Sequence, residues 1–365
     1  MSNVQVKEPF VRMVKRDHAS MGRKITVRIL AVLLALILDA LFIFFVTGLN
    51  PFAVYGVMFK GTFGSSIRFS WAMRDLVTLL LIGVALAPAF KMKFWNIGAE
   101  GQITMGALGA SWVALNLSPN LPQPVMLLLM MIGAAVCGGI WAFIPAIFKA
   151  KLGTNETIFT LMMNYVAIKF VTYLQYGLWM DPAANGFPKI AMFPDNAVLP
   201  KLGGVNIGWI LAILAAAFVY FFMNYTKKGY EITVVGESIE TARYAGMNIS
   251  RIIVVAMLIS GGLCGITGMI QASAIEKTLV YGIANGYGFT AIITAWLSKL
   301  NAGYAVAVCA VFAMLIQGGQ YIQIALGVPS AVSDIVQGLI LFFVLGSEFF
   351  MRYRVHIGRN SKEVA

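Results

Sequence analysis

Long apolar runs separated by short polar stretches leave few folds open to this chain. Residues 29–46, 76–89, 125–148, 207–222, 252–270 and 335–350 are continuously apolar rather than alternating. Several approach the roughly 20 residues that a helix needs to cross the hydrocarbon of a bilayer. Inside lipid every backbone N–H and C=O must be satisfied by the protein itself, which restricts the choice to helices and closed barrels. The alternation over roughly ten residues that marks a barrel strand is missing. Composition agrees, since 59% of the residues are hydrophobic and 12% charged, against about a quarter charged in soluble domains. The expected class is all-α, a polytopic membrane helix bundle of about ten spans.

The net charge of +12 need not point to nucleic acid. It is concentrated where a membrane protein keeps its cytoplasmic basic residues, facing anionic lipid. Residues 1–28 form a tail with Lys7, Arg12, Lys15, Arg16, Arg23, Lys24 and Arg28 against Glu8 and Asp17. Residues 351–365 carry Arg352, Arg354 and Arg359. Both termini are therefore expected on the cytoplasmic side of a single transmembrane domain, 29–350, with an uncleaved first span. Further inner-surface marks are Lys91, Lys93, Lys149 and Lys151. Cys137, Cys264 and Cys309 lie in apolar, small-residue surroundings without metal or disulfide spacing. His18 and His356 fall outside the spans, so no metal site is expected and no histidine relay crosses the membrane.

Polar residues inside or beside the spans are the candidates for function. Asp39 sits in the middle of the first span and is expected to face the bundle. Residues 51–70 read as an outside segment and 73–90 as the second span. Asn96, Glu100 and Gln102 lie among Gly98, Gly101 and Gly106, small residues that let a neighbouring helix approach closely. Two readings fit Glu100: a group lining or bracing a polar passage, or a cap at a helix start. Thr154–Thr157 has the look of an N-cap with an acidic first turn, Asn155 and Glu156 included. Asn164 falls about two turns further in, where an amide wants an interhelical partner or a wet cavity. Residues 175–205, rich in Pro, Gly and Asn, and 272–285 are expected outside. Gly261, Gly262, Gly265 and Gly268 form a packing face. Residues 286–299 are too short for a comfortable span and read as a half-helix or a short buried one.

Between two apolar runs stands a polar island, 226–251, expected in water on the cytoplasmic side. Ser238 stops it on one side, residues 239–245 form a short helix with Glu237 and Glu240 at its positive end, and Gly246 serves as C-cap. No G-x-x-x-x-G-K-[ST] occurs, so the chain holds no ATP phosphates through a P-loop. It has neither a nucleophile elbow nor a zinc helix motif, and no catalytic residue is assigned.

Val234-Val235-Gly236 followed by Ala242-Arg243-Tyr244-Ala245-Gly246 resembles the cytoplasmic coupling loop of permease subunits of bacterial ABC importers in the ribose, branched-chain amino acid and nucleoside group. Asn96 to Gln102, and Thr154-Asn155-Glu156 with Thr160-Leu161-Met162-Met163-Asn164-Tyr165, are similar to motifs of the nucleoside-type branch. Gly286-Tyr287-Gly288-Phe289 with Ile292 resembles a further family segment. The likeness covers roughly residues 76–350.

It implies a ten-span fold like the cobalamin-importer permease in the bacterial inner membrane, and a second permease subunit, homologous or identical. It also implies two cytoplasmic ATPase subunits or a fused double ATPase, and an extracytoplasmic substrate-binding protein. ATP and Mg would be bound by the ATPases, so the chain needs no cofactor of its own; lipid surrounds it and nucleic acid is not a partner. Candidate residues of the translocation path are Asn96, Glu100, Gln102, Asn155, Glu156 and Asn164. Candidate ATPase-coupling residues are Gly236, Glu237, Ala242, Arg243, Tyr244, Ala245 and Gly246. A nucleoside is the expected cargo and a ribose-like sugar the second choice. The rival class is a proton- or sodium-coupled carrier, with Asp39, Glu100, Glu156 and Asp334 as its carboxylates.

Overall fold

The computed structural model describes residues 11–15, 20–117 and 119–357. In chain order the elements are β1 (Val11–Lys15), α1 (Met21–Thr47), α2 (Pro51–Phe63), α3 (Ser66–Lys91), α4 (Ala99–Asn116), α5 (Gln123–Leu152) and α6 (Glu156–Tyr176). Two-residue strands β2 (Lys201–Leu202) and β3 (Val205–Asn206) precede α7 (Gly208–Tyr225), α8 (Lys227–Glu237), α9 (Ile239–Tyr244) and α10 (Ile249–Ile270). The chain continues through α11 (Tyr287–Leu297), α12 (Ala302–Leu326), α13 (Ser330–Arg352) and β4 (Tyr353–Ile357). Among the described residues eight helices are long and apolar enough to cross a membrane: most of α1, then α3, α5, α6, α7, α10 with its extension to Glu276, α12 and α13.

The chain falls into two compact units, one from residues up to Gly64 together with Leu315 onward, the other from Ser65 to Met314. In the first, α1 packs along α13. Ala35, Asp39 and Ile43, one turn apart, form the buried stripe of α1. Arg28 Nη2 approaches Glu348 Oε2 at 3.9 Å, and β1 pairs antiparallel with β4, Val11 opposite Ile357. Residues 51–70, expected outside, are helical over 51–63 and again from 66. Asn50 accepts a hydrogen bond from Phe52 N–H at 3.0 Å, and Pro51 stands at the first helical position, where its missing N–H costs nothing. The second span begins at Ser66, seven residues before the expected start.

In the second unit α4, α5 and α10 form the centre. A Cβ on Gly106 would overlap the backbone of Gly265, and one on Gly265 would overlap the Ala134 carbonyl. Gly138 meets Gly261 and Gly265, and Gly268 meets Ile103. The packing face expected from these glycines is therefore where three backbones touch. Gly265→Val is expected to lower membrane abundance severely, because backbone cannot give way as a side-chain tip can. Overpacking ordinarily costs about 1–3 kcal/mol, and immunoblots of membranes beside the roomier control Gly262→Ala check it.

Residues 272–285, expected outside, begin in helix. Gln271–Glu276 prolongs α10 as a π-helical turn. Leu279 and Ile283 then join the apolar cluster around Met126, Met130 and Phe193. A partly buried coil, with Lys277, Tyr281 and Asn285 exposed, leads to α11.

Candidate functional site

The coil between α3 and α4 brings Asn96 against Gln102 and Ser260. Asn96 Nδ2 donates to Gln102 Oε1 at 3.3 Å and to Ser260 Oγ at 3.2 Å. Its Oδ1 accepts from Gln102 Nε2 and Gly98 N–H, both at 3.0 Å. The first turn of α4 has no side-chain cap of its own. Asn164 of α6 supplies one: its Oδ1 accepts from Gly101 N–H at 2.8 Å, and its Nδ2 donates to the Ile97 carbonyl at 2.9 Å. Thr160, one turn earlier, accepts from Ile97 N–H at 3.1 Å. A helix start buried in protein needs such partners, because each unpaired N–H costs on the order of 1–3 kcal/mol.

Glu100 is 4% exposed and does the same service for another helix. Its Oε1 accepts from Gly286 N–H at 2.7 Å and its Oε2 from Gly288 N–H at 2.9 Å. Both N–H groups open α11, whose N-cap, Gly286 at φ 75°, offers no side chain. A negative carboxylate at the positive end of the helix adds charge–dipole attraction to the two bonds. Gly288 makes the approach feasible, since a Cβ there would sit 2.5 Å from Glu100 N. The carboxylate therefore caps not the start of its own helix, as one sequence reading had it, but α11, 186 residues away in sequence.

With 11 residues, α11 is about 16 Å long, half the thickness of a bilayer core. Tyr287 Oη donates to Asp75 Oδ1 at 2.8 Å, and Arg74 Nε donates to the same oxygen at 3.3 Å. At the far end of α11 the Trp296 ring stacks on Trp95, centroids 5.1 Å apart.

Asp75, Tyr287 and Ser260 were not among the sequence candidates. Asp75 had a signal, being a carboxylate at the edge of an apolar run; Tyr287 and Ser260 had none. Asn155 and Glu156 serve the start of α6 instead. Asn155 Oδ1 accepts from Thr157 N–H at 3.0 Å, and Glu156 Oε2 lies 2.7 Å from Lys149 Nζ. Asp39 is fully buried in the first unit, and among the described residues neither of its oxygens has a hydrogen-bond partner. Asp334 is exposed.

The polar island differs from its expectation in one half. Lys227–Glu237, for which the sequence predicts no helix, forms the helix α8. Ile232 and Val235 are buried with Ala89, Ala146 and Ile252. Gly236 lies so close to the Lys91 carbonyl that a Cβ would overlap it. The other half is as expected: Ser238 caps α9 by accepting from Thr241 N–H at 3.2 Å. Gly246 has φ 72°, and Met247 N–H returns to the Ala242 carbonyl at 3.0 Å. Ala242 is turned inward and buried, whereas Arg243, Ala245 and Gly246 are exposed and Tyr244 is 97% exposed. The exposed side of α9 is thus a short, doubly capped ledge.

Residues 68–345 match the family described as the permease component of the branched-chain amino acid transport system. The chain belongs to this family. The glucose ABC transporter permease TsgB13 of Haloferax volcanii is 37% identical over 84% of this chain and 84% of its own length. The guanosine ABC transporter permease NupP of Bacillus subtilis is 34% identical over 88% and 93%. The nucleoside ABC transporter permease NupB of Lactococcus lactis is 29% identical over 88% and 91%. The protein is a permease subunit of an ABC transporter and, with its eight apolar helices, a multi-pass cell-membrane protein. This membership removes the ion-driven carrier from consideration.

Proposed function

We propose that this permease forms the translocation path for a nucleoside, and that its cytoplasmic ledge passes the motion of separate ATPases to α11 by way of α3. The observation that carries the reading is that one helix, α3, contacts both the coupling segment and α11. The end of α3 abuts Gly236 at Lys91, and its middle holds α11 through Asp75 and Tyr287. Arg243, Tyr244, Ala245 and Gly246 form the docking face for an ATPase, while Gly236, Glu237 and Ala242 fix that face to the bundle. Rigid levers of this kind are what hinge and shear motions act through.

In this reading the chain crosses the membrane ten times. The eight apolar helices are joined by α4 and by the partly buried coil that leads into α11. Both termini are cytoplasmic, the architecture is that of the cobalamin-importer permease, and ATP with Mg stays on the ATPases. A second permease subunit and an extracytoplasmic binding protein complete the importer. Asn96, Glu100, Gln102 and Asn164 set the shape of the path by bracing α4 and α11, and Asn155 and Glu156 anchor the helix that carries Asn164. The guanosine and nucleoside relatives support a nucleoside cargo; the glucose relative supports a sugar as the second reading. Uptake of labelled nucleosides, glucose, ribose and branched-chain amino acids, compared in cells with and without this gene, tests the choice. Loss of nucleoside uptake alone is expected, and loss of glucose uptake alone would transfer the assignment to sugars.

A further inference from the structure

We propose that a cavity at the basic end of the second unit binds the headgroup of an anionic phospholipid, and that this lipid holds α3 against the coupling segment. The cavity measures about 310 Å³. Its lining mixes apolar and polar groups. Val84 of α3 with Val219 and Met223 of α7 supply the apolar side, and Lys91, Lys299 and Asn224 are the polar groups among them. No acidic side chain lines it. Neither lysine ammonium has an ion-pair or hydrogen-bond partner among the described residues, and both lysines are exposed.

Lys299 is placed there by the turn after α11. Its φ is 54° and that of Leu300 is 58°, the left-handed region that residues with a Cβ seldom enter. The turn is closed by Lys299 N–H to the Trp296 carbonyl and Leu300 N–H to the Ala295 carbonyl, both at 3.0 Å.

Two unpaired ammonium groups call for an oxyanion with its charge concentrated, as a phosphate has. The apolar side calls for something attached to it. α3 and α7 are both long enough to span a bilayer, so acyl chains beside them would be in their ordinary solvent. Tyr220, 54% exposed, also lines the cavity, and tyrosine favours the headgroup level. Basic pockets between membrane helices on the cytoplasmic side take anionic headgroups for these reasons.

The position gives the lipid a consequence. Thr233 of α8 lines the same cavity, and the Lys91 carbonyl is the atom against which Gly236 rests. A headgroup there ties together the end of α3, the coupling helix and the turn that ends α11.

The site rests on the reading of this end as cytoplasmic, but its test does not. The complete transporter is placed in nanodiscs of phosphatidylcholine alone or with phosphatidylglycerol, which are alike on both faces. Retained lipid is read by native mass spectrometry and coupling by ATP hydrolysis stimulated by the binding protein. Wild-type protein is expected to retain phosphatidylglycerol and to hydrolyse ATP faster with it. Lys91→Ala with Lys299→Ala should weaken retention about twenty-five-fold, roughly fivefold for each lysine. Lys91→Arg with Lys299→Arg should retain the lipid, which separates loss of charge from loss of fold. Equal retention by the alanine and wild-type proteins would overturn the proposal. So would full stimulation by inorganic phosphate in phosphatidylcholine discs, which marks a soluble-anion site, or efficient cross-linking of Lys299→Cys to the second permease subunit, which marks a protein contact. Lipid retention and cross-linking do not depend on which cargo is carried, so their failure is distinct from failure of the nucleoside reading.

Discussion

Glu100→Gln is expected to reach the membrane at normal abundance and to lose roughly tenfold or more of its uptake. The carboxylate accepts from two backbone N–H groups, at Gly286 and Gly288. A glutamine offers one carbonyl oxygen and one NH₂, so one of those N–H groups would face another donor. Hydrogen bonds to a charged group contribute about 1.5–3 kcal/mol each, and a factor of ten in rate corresponds to about 1.4 kcal/mol. The start of α11 would therefore be released while the glycine contacts at the centre of α4, α5 and α10 stay intact. Abundance and uptake are measured on the same membranes. Gly288→Ala should reproduce the defect with Glu100 in place, because its Cβ would press on the carboxylate at 2.7 Å. Normal uptake by both variants would show that α11 need not be held for transport.

The second large effect concerns the ledge and separates docking from transmission. Gly236→Leu places a side chain where the Lys91 carbonyl lies, so α8 must move away from α3. Overpacking of this kind costs about 1–3 kcal/mol, and here the strain falls on one contact between two helices. The exposed face of α9, with Tyr244 and Ala245, is untouched. Gly236→Leu should thus keep its ATPases through purification and hydrolyse ATP, yet import little. Ala245→Trp alters the exposed face instead and should shed the ATPases, with hydrolysis and uptake lost together. Co-purification, ATP hydrolysis and uptake, measured on both variants, distinguish the two. If Gly236→Leu imported normally, α3 would not be the element that carries the motion.

Much of this was legible in the sequence because bilayer and helix impose local rules. A continuous apolar run in lipid that lacks the alternation of a barrel strand is a helix, so the all-α class and the apolar helices followed from composition and length. Caps follow from the residue at the turn, and Asn155, Ser238 and Gly246 act as their types require. The glycines of α10 announced a close approach, since nothing else explains their spacing in an apolar helix. The motifs at 96–102 and 154–165 and the segment ending at Gly246 pointed to the family that the comparison established.

The structure decided which partner each polar group takes. A glutamate in the first turn of a helix looks like a cap for that helix, and Glu100 caps α11 instead. Asn164 was recognised as needing a partner, but that partner is the start of α4. Gly236 stood out only through the family resemblance and proved to be a point of helix contact. The physical reason is common to all three. Periodicity and caps are set by neighbours within about four residues, whereas a buried hydrogen bond or a missing Cβ is explained by a chain segment that may be nearly two hundred residues away. Only the packed bundle brings that segment into reach.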